Sequence, residues 1–245
     1  VPDPRCEIYR AVSFYLYGLR TNYGSSSLLH LPEIDRFVDS TTGGMRIEAH
    51  TAAIQEGEGV FKSFLGNAHY IKISNVNRNN HPRLMGTILH EMGHYTQFWI
   101  HRGYNHYNDI PKLLKESWAS YAGWYMGELY YSVQRLLPIP FEDDITRQAR
   151  QSWHPAMANP YYYYSPLFVD LRDNYNQCEC LNNSRYANDA IKNVPYSLIN
   201  KLARESSWTG VKKVLREHIS SGYYTETQLN DFLVQWDKYF AANPL

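Results

Sequence analysis

The chain has no excess of positive charge. Its 245 residues carry 24 Lys+Arg against 24 Asp+Glu, a formal net charge of zero. That balance leaves nothing to neutralise a nucleic-acid backbone. No charged tail stands out as a solvating or membrane-surface arm. An apolar run of about 18 residues is also missing, so no membrane-spanning helix is expected. Cysteine is scarce and odd in number: Cys6, Cys178 and Cys180. One residue separates Cys178 from Cys180, which is poor spacing for a mutual bridge. In an oxidising compartment Cys6 can pair with one of them, and three free thiols are the alternative. Charged residues make up only 20% and hydrophobic residues 44%, which excludes a disordered chain. No stretch rich in Pro, Gly or Ser marks a boundary, so residues 1–245 are expected to form a single domain.

Tyrosine is what the chain has in abundance: 22 residues, beside 6 Trp and 9 Phe. Most are expected in packing, with hydroxyls at the rim of the core. Aromatic side chains left over can line a binding surface. The chain begins Val1-Pro2-Asp3-Pro4, with no Met and no signal peptide, as a processed secreted protein would. A secreted or periplasmic location is the expectation. Asn182-Asn183-Ser184 is a glycosylation sequon if the source modifies its secreted proteins.

Hydrophobic periodicity orders the elements. Residues 5–20 read as a helix opened by Asp3 and Pro4, with Ile8, Val12, Tyr15, Leu16 and Leu19 at helical spacing. A short helix is expected at 32–39. Strands are expected at 45–50 and 69–74, where apolar and polar residues alternate. From Pro82 the period turns helical. Leu84, Met85, Ile88, Leu89, Met92, Tyr95, Phe98 and Trp99 cover so much of the surface that this helix should be buried on more than one side. Asp109 and Pro111 open the next helix, which is expected to reach about Leu137. Further helices are expected at 143–152, 187–205, 208–219 and 225–241. A Tyr-rich segment (159–176) and a Cys/Asn loop (177–185) lie between the first two of these. Strands early and helices late, without βαβ alternation, indicate an α+β fold with a small mixed or antiparallel sheet. Residues 1–107 should hold the sheet and the long apolar helix, and residues 108–245 a mostly helical half.

That apolar helix contains Thr87-Ile88-Leu89-His90-Glu91-Met92-Gly93-His94, an HExxH motif. Residues four apart stack one turn apart on one helix face. Two imidazoles placed so can reach one tetrahedral zinc. Glu91 leans to the same side and can hold a water at the metal and take its proton. Two histidines and a glutamate in a mostly buried helix are costly unless something satisfies them.

A third ligand is required. His101 lies seven residues past His94, about 10 Å along the axis at 1.5 Å per residue, too far to share an ion. The pattern HExxHxxGxxH fails, because Gln97 and Ile100 stand at its Gly and final His. His106 is out of register. Glu116 falls 22 residues after His94 on the following helix, and a helix–loop–helix hairpin of that length can return a carboxylate to the metal. Small residues at Ser117, Ala119, Ser120 and Gly123 would let the two helices approach closely.

His90-Glu91-Met92-Gly93-His94 followed by Glu116 resembles the gluzincin metallopeptidases, which include thermolysin-like enzymes and zinc aminopeptidases. The string Lys115-Glu116-Ser117-Trp118-Ala119 is similar to the aminopeptidase Asn-Glu-Gly-Phe-Ala, matching at the Glu, the bulky aromatic and the Ala. The resemblance covers residues 84–125. Thermolysin-like enzymes carry an Asp four residues after the ligand Glu to support a zinc histidine; here that place is Ser120. The aminopeptidase Gly-Xaa-Met-Glu-Asn strand is matched by Gly43-Gly44-Met45 only, since Arg46-Ile47 replaces Glu-Asn. Exopeptidase specificity is therefore not implied. The resemblance implies a zincin-like fold and zinc-dependent hydrolysis of a peptide or protein substrate. His90, His94 and Glu116 would be the ligands and Glu91 the general base. An oxyanion donor would come from the second half, among His154, Tyr161–Tyr164, Tyr186 and Tyr223. It also implies that a strand edge at 45–50 or 69–74 receives an extended peptide. Two competing readings remain. One is an inactive, peptidase-like binding or scaffold module; the other is a peptidase acting on glycosylated proteins.

Overall fold

The computed structural model describes residues 4–20, 46–49, 59–63, 69–74, 81–101, 104–133, 167–172 and 190–242. The short helix expected at 32–39, the helix at 143–152, the Cys/Asn loop and most of the Tyr-rich segment lie outside these residues. Helix α1 (Pro4–Arg20) opens with a proline, whose fixed φ suits a first helical turn and whose missing N–H costs nothing there. Its Ile8, Ala11 and Tyr15 are buried, while Tyr9 and Cys6 face solvent.

Three strands follow: β1 (Arg46–Ala49), β2 (Gly59–Ser63) and β3 (His69–Ile73). Their order is β1-β3-β2, with β1 parallel and β2 antiparallel to β3. The sheet is thus mixed, and the class is α+β with helix predominating. Ile47 and Phe61 both stand opposite Ile71 in register, so the three form one cross-strand row, and all pack into the core. Ile73 continues the buried face two residues on, as a period of two requires. Strand β2 is not visible in the sequence reading, because Gly59-Val60-Phe61-Lys62-Ser63 opens on a glycine and has no marked alternation. Its presence puts β3 in the centre, so the substrate edge expected at 69–74 is already paired on both sides.

Helix α2 (His81–Ile100) lies against the sheet and α1, and pairs along its length with α4 (Lys112–Val133). A five-residue helix, α3 (Tyr104–Asn108), sits in the connection, where a plain loop was expected. Leu84, Met85, Ile88, Leu89 and Met92 of α2 are buried, as are Leu113, Leu114, Trp118, Tyr121 and Met126 of α4. Each such side chain contributes roughly 1.5–3 kcal/mol. Two glycines set how closely the helices meet. A Cβ on Gly93 would lie 2.8 Å from Ala119 Cα, and one on Gly123 would lie 3.2 Å from the His90 backbone nitrogen. The contact is tied by Trp118, whose indole N–H donates to the Gly93 carbonyl at 3.1 Å. Thr96 donates to the same carbonyl at 2.8 Å and meets the Tyr15 hydroxyl at 2.8 Å, which fastens α1.

Helix α5 (Leu167–Asp170) is wholly buried, and its Phe168 N–H donates to Ser117 Oγ on α4. The remaining helices are α6 (Tyr196–Leu202), α7 (Trp208–Glu217) and α8 (Glu226–Ala242), with a 3₁₀ turn at Ile219–Ser221. Of the helix expected over 187–205, residues 187–189 lie outside the described residues, 190–195 are not helical, and the helix runs Tyr196–Leu202. Pro195 is extended (φ −67°, ψ 149°) and Asn193 has φ 57°, so the preceding residues cannot continue a helix. This C-terminal group meets the rest where Tyr196 packs edge-on against Tyr125, at 4.9 Å between ring centroids. His101 Nε2–H also donates to the Ala203 carbonyl at 3.0 Å.

Candidate metal centre

Helix α2 presents His90 and His94 on successive turns, with ring centroids 4.8 Å apart and planes nearly perpendicular. Helix α4 brings Glu116 between them. Its Oε2 lies 3.2 Å from His90 Nε2 and 3.3 Å from His94 Nε2. One ligand atom from each residue falls within 4.8 Å of the other two, and among the described residues this is the group able to hold a metal ion. A tetrahedral ion with bonds of about 2.0–2.1 Å sets neighbouring donors about 3.4 Å apart. The two Glu116 distances are close to that, while the three donors together spread over up to 4.8 Å. Imidazole–carboxylate hydrogen bonds tighten to about 2.7–2.9 Å instead.

The electrostatics agree with an anionic arm. Burial alone would raise the Glu116 carboxyl. The charge of His94 and the close approach of both imidazoles outweigh it and hold the group well below the usual carboxylate range. Glu91 behaves oppositely. It is 6% exposed, and burial pushes its carboxyl up to about 7. The charge of His90 and a hydrogen bond from the Phe61 N–H pull it down, and Glu116 pushes it further up. Neighbouring carboxylates thus titrate far apart, one fixed as an anion and one poised near neutrality.

The residues passed over as ligands have other partners or positions. His101 is buried on the Ala203 carbonyl, its imidazole kept neutral chiefly by burial. His106 is exposed on α3. Ser120, one turn beyond Glu116, is buried and its hydroxyl has no hydrogen-bond partner among the described residues. It does not replace the histidine-supporting carboxylate that the resemblance would put there. Of the suggested oxyanion donors, Tyr223 is 44% exposed between the 3₁₀ turn and α8. His154, Tyr161–Tyr164 and Tyr186 lie outside the described residues.

Two contacts at the centre escaped sequence reasoning. Tyr107 on α3 sets its hydroxyl 3.2 Å from His94 Nδ1. Burial, with Glu116 and Glu91 nearby, raises that phenol well above its ordinary value, so it stays neutral. The second is the Phe61 amide on Glu91. The side chain of Phe61 completes the arrangement, packing edge-on against Tyr95, Phe98 and Tyr107 at 5.7, 5.9 and 6.3 Å. Tyr107 belongs to a set of tyrosines flanking the motif helix. The signal in the sequence was its place between His94 and Glu116, which does not distinguish it from Tyr104. Comparisons with family models, curated proteins and solved structures returned no match.

Proposed function

We propose that this chain is a zinc-dependent hydrolase of peptide bonds with a zincin-like catalytic unit, His90, His94 and Glu116 being the ligands and Glu91 the general base. One observation carries the reading: Glu116 Oε2 lies 3.2 and 3.3 Å from the Nε2 atoms of His90 and His94, with donor atoms of all three residues within 4.8 Å of one another, and the buried Glu91 carboxyl stands beside the first ligand. Zinc in such a donor set acidifies water and polarises a carbonyl. Glu91 takes a proton from the attacking water and hands it to the leaving amine. A base with pKa near the working pH does both. The Phe61 amide keeps the Glu91 carboxylate oriented through the exchange. Glu116 stays ionised throughout and supplies the negative arm. Strand β2 is an edge among the described strands and touches Glu91, which supports pairing with an extended substrate beside it. A purely structural centre has no use for a costly buried carboxylate next to its ligands.

The test is metal content of the purified protein together with cleavage of a mixed peptide library, with and without chelator. About one zinc per chain and chelator-sensitive cleavage are expected. Glu91→Gln should keep the ion and lose about 10²–10⁴-fold in kcat; near-normal rates would remove it as the base. Glu116→Ala should lower zinc well below one per chain. Bound zinc without cleavage of any peptide or glycopeptide would favour the scaffold.

A further inference from the structure

We infer that Tyr107 is a positioning residue for His94, its phenol oxygen accepting the Nδ1 proton and so fixing the tautomer whose Nε2 can take an ion. The inference rests on the metal-site reading above. The two ring nitrogens of His94 face different ways. Nε2 looks at Glu116 Oε2, 3.3 Å away, and Nδ1 looks at the Tyr107 hydroxyl, 3.2 Å away. A neutral imidazole carries one proton. If it sits on Nε2, the lone pair needed at the donor cluster is gone; only the Nδ1–H form presents it. A hydrogen bond to the far nitrogen selects between the forms and holds the ring plane.

The oxygen that does this is itself held. Tyr107 is 8% exposed. Phe98 packs against its ring at 5.7 Å, Phe61 at 6.3 Å, and Lys115 Nζ lies 5.1 Å from the ring centroid. Helix α3 thereby has a purpose: in five residues it delivers one hydroxyl to the back of a histidine. Because Tyr107 lies on the Nδ1 side, away from the donor cluster, it does not face a substrate carbonyl and is no oxyanion donor.

Tyr107→Phe keeps the ring and deletes the acceptor. Two measurements decide. Zinc affinity, by competition with a chromophoric chelator, should weaken about 10–100-fold. The His94 Nδ1–H proton, read from side-chain ¹H–¹⁵N spectra of the zinc-loaded protein, should exchange slowly in the wild type and markedly faster in the variant. Unchanged affinity in Tyr107→Phe, or unchanged exchange, would overturn the role. If wild-type protein binds no zinc, the ligand assignment fails and the inference falls with it; zinc bound equally by both proteins overturns the inference alone. If Tyr107→Phe does not fold by circular dichroism, the wild-type spectrum decides: a rapidly exchanging Nδ1–H refutes the inference and a protected one supports it.

Discussion

The α2–α4 pair and the C-terminal helices α6–α8 are both helical and both well buried, yet they are built on different terms. Helix α7 buries Trp208, Val211 and Leu215 on one face and exposes Thr209, Lys213, Arg216 and Glu217. Its N-cap Ser207 accepts from the Gly210 N–H, as caps do. Helix α8 opens with a reciprocal capping box: Thr225 Oγ1 accepts from the Gln228 N–H and Gln228 Oε1 from the Thr225 N–H. In α2 the local rules give way. Glu91, His94, Thr96, Gln97 and His101 are buried among apolar neighbours, and Ser117 and Ser120 face them from α4. Thr96, His101 and Ser117 have hydrogen-bond partners, whereas Gln97 Oε1 and Ser120 Oγ have none among the described residues, and such groups cost free energy that a leucine would not. A chain tolerates such a cost where the groups have work to do, and local rules fail most often at functional sites.

Three experiments press on this difference. The largest effect concerns Glu91 in chelator. Its folded pKa of about 7 exceeds the ordinary 4.5, so the folded state holds the proton more tightly. Below pH 4.5 both states are protonated and nothing is lost. Between 4.5 and 7 the unfolded state releases its proton first, and stability falls as pH rises. Relative to Glu91→Gln, the wild type should lose on the order of 3 kcal/mol from pH 4.5 to 8, read by urea unfolding. A gap independent of pH would mean that Glu91 is not buried in the ion-free fold.

The second compares two helical glycines. Gly93→Ala drives a methyl into the Ala119 backbone and should cost about 1–3 kcal/mol, with weaker zinc binding as the helices part. At Gly210 the nearest atoms all belong to the Glu205 side chain, the carboxylate closest and Cβ at 3.3 Å, and the carboxylate end can swing aside. Gly210→Ala should therefore be neutral or stabilise by up to about 1 kcal/mol. Equal responses at the two positions would erase the contrast. The smallest effect is Thr225→Ala, which should cost about 1 kcal/mol in unfolding experiments and leave zinc content unchanged.

The sequence was legible where chemistry and periodicity coincide. Helix α2 shows a 3.6-residue pattern with HExxH inside it, and Glu116 emerges from hairpin length and from the small residues around it. Gly123 against His90 bears out the close approach those residues imply. Legibility fails where an element is too short to carry a period or a group is not a side chain. Helix α3 spans barely one turn, so Tyr107 looks like any tyrosine of this chain. The donor on Glu91 is a backbone amide of β2, and an amide has no letter in the sequence. The start of α6 was misplaced because the apolar residues Ile191 and Val194 are buried without being helical.

The connection between α2 and α4 has a kinetic consequence. His90, Glu91, His94, Tyr107 and Glu116 all lie within residues 90–116. Closing one helical hairpin assembles every side chain of the centre, and only the Phe61 amide is recruited from further away. Loop-closure entropy for so short a span is small, and local contacts form early. An ion can then meet its three donors as soon as that hairpin docks, ahead of the C-terminal helices.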